Sequence, residues 1–204
     1  SVSSIVAILV NRAKFCDFNT IMVSSAMPGE GKSTLSHSLW RGLSEANYKV
    51  VLVDFDLRHP ALHHDLGVEI GAGLSDILAE EASIDDCLKQ HTSTRSYVTA
   101  GSAYRINLAA AAQDMLPQLF NELRSRFDFV IVDTAPLLPV VDTRIIGEYV
   151  DGCVLSVMRD QSRIPQVVAA VETLKAHGTP LLGVVVSGCK SAARDVGYYY
   201  SENR

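Results

Sequence analysis

The chain has 204 residues, of which 48% are hydrophobic and 20% charged, and its formal net charge is -5. That length suits one well-packed domain and is short for two, and the composition is that of a chain that buries a core rather than a disordered one. No long basic run is present, which speaks against a nucleic-acid surface as the main business. No stretch approaches the ~18 apolar residues of a membrane span. The start, Ser1-Val2-Ser3-Ser4, lacks the basic and then apolar order of a secretory signal. Its missing initiator Met points to a piece of a longer chain or a processed one. Cys16, Cys87, Cys153 and Cys189 are far apart, form no CxxC pair, and read as reduced thiols of a cytosolic protein.

The spacing of apolar residues sets out the elements in order. Ser4–Lys14 reads as a helix, and Thr20–Ser24 as a strand that runs into a glycine-rich stretch. A helix over Ser33–Ala46 follows, then a strand over Val50–Asp54, a short helix over Leu74–Ala79 and a strand over Ser96–Ala100. Ala109–Ala112 is either the start of the next helix, Gln113–Arg126, or a loop before it. A strand over Phe129–Asp133, a helix over Thr143–Glu148, a strand over Gly152–Met158, a helix over Pro165–His177 and a strand over Leu181–Ser187 complete the series. In the Pro165–His177 segment, Val167, Val168, Val171 and Leu174 form an apolar stripe, and His177-Gly178 is a stop signal. Most of the strands are continuous Val, Ile and Leu, not alternating apolar and polar. That is the pattern of strands covered on both faces, as in a parallel sheet. Strands separated by helices imply right-handed βαβ units and an α/β, doubly wound, mostly parallel sheet of the P-loop NTPase class, with helices on both faces. One domain is expected over residues 1–196, followed by a flexible tail over 197–204.

Three strands end in residues suited to phosphate and metal chemistry. The first enters Pro28-Gly29-Glu30-Gly31-Lys32-Ser33-Thr34 and then a helix, the setting a phosphate-binding loop requires. Backbone N–H groups and a helix N-terminus face an anion there, Gly29 and Gly31 permit close approach, Lys32 places a cation at the β- and γ-phosphates, and the Ser33 hydroxyl is positioned for Mg²⁺. The general form of the motif has Gly where this chain has Ala26. The second strand ends Asp54-Phe55-Asp56, whose carboxylates at i and i+2 can face one cleft and hold Mg²⁺ or orient an attacking hydroxyl. The third ends at Asp133, in the pattern of a carboxylate that contacts Mg²⁺. Arg159 follows a strand's carboxyl end and so faces the same edge, where it suits phosphate or carboxylate pairing; Arg58 suits the same pairing.

These elements, in this order and spacing, resemble the bacterial tyrosine kinase family, P-loop kinases that accompany capsule and exopolysaccharide synthesis and are related to septum-positioning and partitioning ATPases. The resemblance covers essentially the whole chain. It rests on Ser25–Thr34, Val51–Pro60 with its Asp56-Leu57-Arg58-x-Pro60, Gly73-Leu74-Ser75-Asp76-Ile77-Leu78, and Phe127–Pro136. It implies ATP and Mg²⁺ as cofactors. Lys32 becomes the phosphate lysine, and Ser33, Asp54 and Asp133 become metal contacts. Asp54 and Asp56 become the paired aspartates of the second motif, with Asp54 also base toward the substrate phenol. The chain ends Gly197-Tyr198-Tyr199-Tyr200-Ser201-Glu202-Asn203-Arg204. The resemblance makes Tyr198, Tyr199 and Tyr200 phosphoacceptors, modified in trans by another copy. It also implies a membrane-spanning polysaccharide co-polymerase segment, fused or separate, a cognate tyrosine phosphatase, and a place at the inner face of the bacterial inner membrane.

The chain departs from the family at several points. The charged E-x-x-R-x-x-R pattern that assembles protomers through the first helix is replaced by Ser4, Ala7 and Val10, and the last strand ends in Ser187 where the family has a base-contacting Asn. Met27 stands where partitioning relatives carry a second lysine. His59 and His63, four apart, have no completing ligand and read as structural; Trp40 reads as core or interface. Three readings predict different products: a kinase makes phosphotyrosine, a partitioning-type switch releases phosphate and dimerises with ATP, and a non-catalytic module binds ATP with neither.

Overall fold

The computed structural model describes residues 1–16, 18–102 and 108–189. In chain order it contains α1 (Val2–Cys16), β1 (Thr20–Ser25), α2 (Lys32–Glu45), β2 (Val50–Asp54), α3 (Leu62–Leu66), α4 (Leu74–Leu78), α5 (Ile84–Cys87), β3 (Lys89–Gln90), β4 (Arg95–Val98), α6 (Leu108–Arg126), β5 (Phe129–Asp133), α7 (Asp142–Ile146), β6 (Gly152–Met158), α8 (Ile164–Ala176) and β7 (Leu181–Ser187). The strands form one sheet in the order β3-β4-β2-β5-β1-β6-β7. All pairings are parallel except β3 with β4, which is antiparallel at the edge. The expected doubly wound sheet is therefore present.

The continuous apolar strands follow from cover on both faces. Met22, Val51, Val53, Val130, Val132, Cys153 and Leu155 pack with α4, α6 and α8 in one core. Their strand neighbours Ile21, Val23, Val50, Leu52, Ile131 and Val154 pack with α1 and α2 in the other. Period two along each strand thus serves two layers, and no position in β1, β2 or β5 is left to solvent.

The open choice at Ala109–Ala112 resolves as helix, since α6 begins at Leu108. Pro117 lies inside α6, and the helix continues through it. α3, α5 and β3 are additions to the sequence reading. Each is short, and both residues of β3 are exposed, so no periodic apolar signal marks them. α1 docks on α2 through Val6 and Leu9, and it comes close enough that a Cβ on Gly42 would stand 2.8 Å from Val6 Cγ2. Ser4 and Ala7, in the places of the family's charged residues, are exposed. Among the described residues, no helix is long and apolar enough to cross a membrane.

Candidate active site

Because β5 lies between β1 and β2, the carboxyl ends of all three meet at one sheet edge. The loop leaving β1 turns into α2 through two left-handed glycines, Gly29 (φ 82°) and Gly31 (φ 80°). Side chains are strained there, and the space is also taken. A Cβ on Gly29 would stand 2.6 Å from Gln161 Nε2, and one on Gly31 3.1 Å from Met158 Cε. Ala26, in place of the motif's usual glycine, is fully buried in the core.

The loop is pinned from within. Glu30 is buried, and its Oε2 accepts from the Met27 amide at 2.9 Å. Ser156 Oγ donates to the Glu30 carbonyl at 2.7 Å, and Gln161 Nε2 donates to the Pro28 carbonyl at 3.4 Å. The amides of Gly29, Glu30, Gly31, Lys32, Ser33 and Thr34, by contrast, have no acceptor among the described residues. Gly31 caps α2 without a side-chain hydrogen bond, and the first turn holds no acidic residue. Orphan donors at the positive end of a helix are what a phosphate chain satisfies, so these residues fit a nucleotide.

The ionisable side chains divide their work. Lys32 Nζ lies 3.0 Å from Asp56 Oδ2 and 3.3 Å from Ser33 Oγ. Asp56 Oδ1 accepts from the His59 amide at 3.0 Å. Asp133 sits in register beside Asp54 and accepts from Ser36 Oγ at 3.0 Å and from the Ser33 hydroxyl. Asp54 instead organises the turn after β2. Its Oδ1 accepts from the Asp56 amide at 3.0 Å, and its Oδ2 from Ala61 at 3.2 Å and Leu62 at 3.1 Å. The i, i+2 pair therefore reaches one site with two functions: Asp56 meets the lysine, and Asp54 sits deeper, beside Asp133. Ser33 with Asp54, Asp56 and Asp133 is a hard-oxygen set that suits Mg²⁺. Among the described residues, no three His, Cys, Asp or Glu side chains form a complete cage. An ion that takes one or two protein ligands and completes its shell with phosphate and water needs none.

Burial raises the Asp54 carboxyl from its ordinary 3.8 to about 7, the neighbouring Asp133 adds to the rise, and the Leu62 and Asp56 amides oppose it. Asp133 is also pushed up by burial, against the pull of Lys32 and the Ser33 and Ser36 hydroxyls. Between about pH 4 and 7 the folded chain thus keeps a proton on Asp54 that the unfolded chain has released. Stability from this group falls as pH rises through that window and levels off above it. Thermal melts without Mg²⁺ are expected to show the wild type losing a few kcal/mol between pH 5 and pH 8 relative to Asp54→Asn. Equal pH slopes in the two proteins would disprove the assignment.

Other sequence-derived residues sit at the margin. Ser187 Oγ lies 3.5 Å from where a Gly31 Cβ would be, and it donates to the Val157 carbonyl at 3.2 Å. Arg159 is half-exposed; its backbone amide donates to the Ser187 carbonyl at 2.9 Å and its guanidinium lies 3.5 Å from Asp160. Both residues flank the loop on the β6–β7 side, away from Asp54 and Asp56. Thr34 is exposed on the first turn of α2. Arg58 pairs with a carboxylate, Asp142 Oδ2, at 2.9 Å. His63 is buried with its ring 4.0 Å from that of His64, while His59 is exposed. Trp40 is core, 2% exposed. Tyr198, Tyr199 and Tyr200 lie outside the described residues. Sequence reasoning missed Ser36, Ser156 and Gln161. Only Ser36 carried a signal, since it follows Lys32 by four and Ser33 by three and so shares their helix face.

Comparison with known proteins agrees with this geometry. The family model described as an AAA domain matches residues 18–164. The tyrosine-protein kinase YwqD of Bacillus subtilis is 32% identical over 182 residues, which span 88% of this chain and 77% of that one. The tyrosine-protein kinase Wzc of Salmonella typhimurium is 27% identical over 191 residues, 90% of this chain but 26% of that one. The crystal structure of the VpsO kinase domain superposes with a TM-score of 0.79 at 30% identity, covering 90% of this chain and 93% of that one. The septum site-determining protein MinD of Pyrococcus horikoshii, solved with Mg-ADP, superposes with a TM-score of 0.69 at 24% identity over 82% of this chain and 69% of its own, a likeness of fold alone. A relative above 30% identity along most of the chain, joined to a phosphate loop whose amides stand free beside a lysine and three aspartates, shows that this chain belongs to the AAA domain family and, within it, to the bacterial tyrosine kinases.

Proposed function

We propose that this domain transfers the γ-phosphate of Mg²⁺–ATP to Tyr198, Tyr199 and Tyr200 of a second copy of the chain, as part of the control of capsule or exopolysaccharide polymerisation and export. The observation that carries this reading is the convergence of Lys32, Ser33, Asp54, Asp56 and Asp133 on a loop with unpaired amides. The loop amides and Lys32 would hold the phosphates; Ser33, Asp133 and Asp54 would hold the metal, which would supply charge neutralisation to the phosphoryl group. Arg159 and Ser187 border the base. The tyrosine oxygen forms its bond to the γ-phosphorus as the bond to the β,γ-bridging oxygen breaks, and Asp54 accepts the phenolic proton. A cleft of about 450 Å³ is lined by Phe55, which separates Asp54 from Asp56 in the chain, and by Leu57, His59 and Val140, and it would admit the incoming tyrosine.

The much longer Wzc chain supports a membrane-spanning co-polymerase partner, fused or separate, at the inner face of the inner membrane. A tyrosine phosphatase would reset the tail. Changing Tyr198, Tyr199 and Tyr200 together to Phe is expected to remove label from [γ-³²P]ATP to below about one-tenth. Mixing that variant with Lys32→Met is expected to label the Lys32→Met chain, because donor and acceptor are different molecules. Label that survives the triple change would refute the acceptor assignment. The fold likeness to MinD supports one alternative, an ATPase switch. It predicts phosphate release and ATP-dependent dimers without phosphotyrosine, which a phosphotyrosine mass spectrum distinguishes.

A further inference from the structure

α2 borders a second cavity, of about 520 Å³, a size within the range of small-ligand sites. Lys32, Asp54, Asp56 and Asp133 line none of it. Its wall carries Arg41, Arg95, His37 and His91, and Asp65 is the one acid among the lining residues. In a chain of net charge -5, two guanidiniums facing one carboxylate, with two imidazoles beside them, make a local reversal of sign.

The groups are organised around Trp40. His37 stacks on its ring at 5.4 Å, His91 lies at 5.3 Å, and the Arg95 guanidinium sits 5.2 Å over it. The indole is held from below, its Nε1 donating to the Ser96 carbonyl at 2.9 Å. Two polar groups are left over. His37 Nε2 is buried with no hydrogen-bond partner, and the Arg95 guanidinium has neither an ion pair nor a hydrogen bond among the described residues. Arg41 is tied only to exposed Glu45, at 3.5 Å, a contact of small energy. Burial lowers the His37 pKa, Asp65 works against that, and His91, Arg95 and Arg41 lower it further.

We infer that this cavity is a second binding site, for a small phosphate-bearing anion, in which Arg95, Arg41, His91 and His37 supply the donors and Trp40 the floor. A phosphate accepts from several cationic donors at once, and it satisfies both the orphan imidazole nitrogen and the unpaired guanidinium. The site shares Thr34 and Ser38 of α2 with the flank of the nucleotide loop, so one helix connects the two. The inference stands apart from the kinase reading, because none of its donor groups belongs to that site.

Trp40 is the single tryptophan of the chain, so its emission reports on this cavity. The probe is inorganic phosphate, titrated at constant ionic strength with Mg–ADP saturating the nucleotide loop. The wild type is expected to show a saturable change in emission. Arg95→Gln and Arg41→Gln are each expected to weaken the apparent affinity about tenfold, the loss of a charge-assisted hydrogen bond, while binding of a fluorescent ADP stays unchanged. Arg41 is exposed and touches no core, so its variant decides the matter if Arg95→Gln fails to fold. A flat titration of the wild type overturns the proposal. So does a change in emission that the folded variants retain at full affinity.

Discussion

Lys32→Met is expected to lower tyrosine phosphorylation by at least ~10³-fold, because it removes a preorganised cation from the transferring phosphoryl group, and loss of one such donor costs 10²–10³ or more. The structure adds a second consequence. Lys32 Nζ is 3.0 Å from Asp56 Oδ2, and the Asp56 side chain is 3% exposed. Removing the lysine strands a buried carboxylate, a change that costs a few kcal/mol in the nucleotide-free protein. A loss of label with Lys32→Met alone therefore mixes lost chemistry with lost stability. The double variant Lys32→Met/Asp56→Asn separates them. Its melting temperature is expected to return toward the wild type while phosphorylation stays absent. Label within tenfold of the wild type in Lys32→Met would remove the lysine from the mechanism. A single variant that melts with the wild type would show that the ion pair contributes nothing.

That ion pair also marks where sequence reasoning ran out. β2, β5, β6 and β7 have the boundaries their apolar runs predict; in β2 and β5 the cause is cover on both faces, which leaves an unbroken signal, while β7 keeps an apolar run at the sheet edge with Val184 and Val186 exposed. The phosphate loop was legible for a related reason: its chemistry depends on residues adjacent in the chain. The roles of Asp54 and Asp56 were not. Two carboxylates at i and i+2 read as equivalent, and what distinguishes them is distant. His59, Ala61 and Leu62 fold back to give their amides to Asp54 and Asp56, and Lys32 arrives from another strand's loop. Ser156 and Gln161 escaped for the same reason, since each serves the loop from more than a hundred residues away. The cavity over Trp40 needed three separate segments, residues 34–41, 65–66 and 91–95, to meet.

In the segment Gly73-Leu74-Ser75-Asp76-Ile77-Leu78, apolar spacing predicts the helix but not the glycine and aspartate at its start, which only the resemblance singles out, and the structure supplies their physical cause. Gly73 has an extended backbone, φ -158° and ψ -153°, which any residue can adopt, so conformation does not demand glycine. Space does. A Cβ there would stand 2.4 Å from the Thr99 carbonyl oxygen and 2.4 Å from the Gly101 nitrogen. The Leu74 and Ser75 amides donate at 2.8 Å to the Thr99 and Ala100 carbonyls, so the chain leaving β4 lies directly against α4. Asp76 locks the contact. Its Oδ2 accepts from the Gly73 amide at 2.8 Å and its Oδ1 from Ser102 Oγ at 3.2 Å. Burial opposes its charge, yet the bonds from Gly73, Ser102 and Ser75 hold its carboxyl below the usual range. Gly73→Ala must therefore push backbone from backbone, and about 3 kcal/mol is expected, a fall in Tm of roughly 6–12 °C for a domain of this size. Gly71→Ala, two residues earlier, meets nothing within 4 Å and is expected to stay within about 2 °C of the wild type. Glycine entropy acts at both positions, so it cannot produce the difference. If calorimetry finds the two variants equally stable, α4 does not approach the 99–101 backbone closely enough to exclude a Cβ at Gly73.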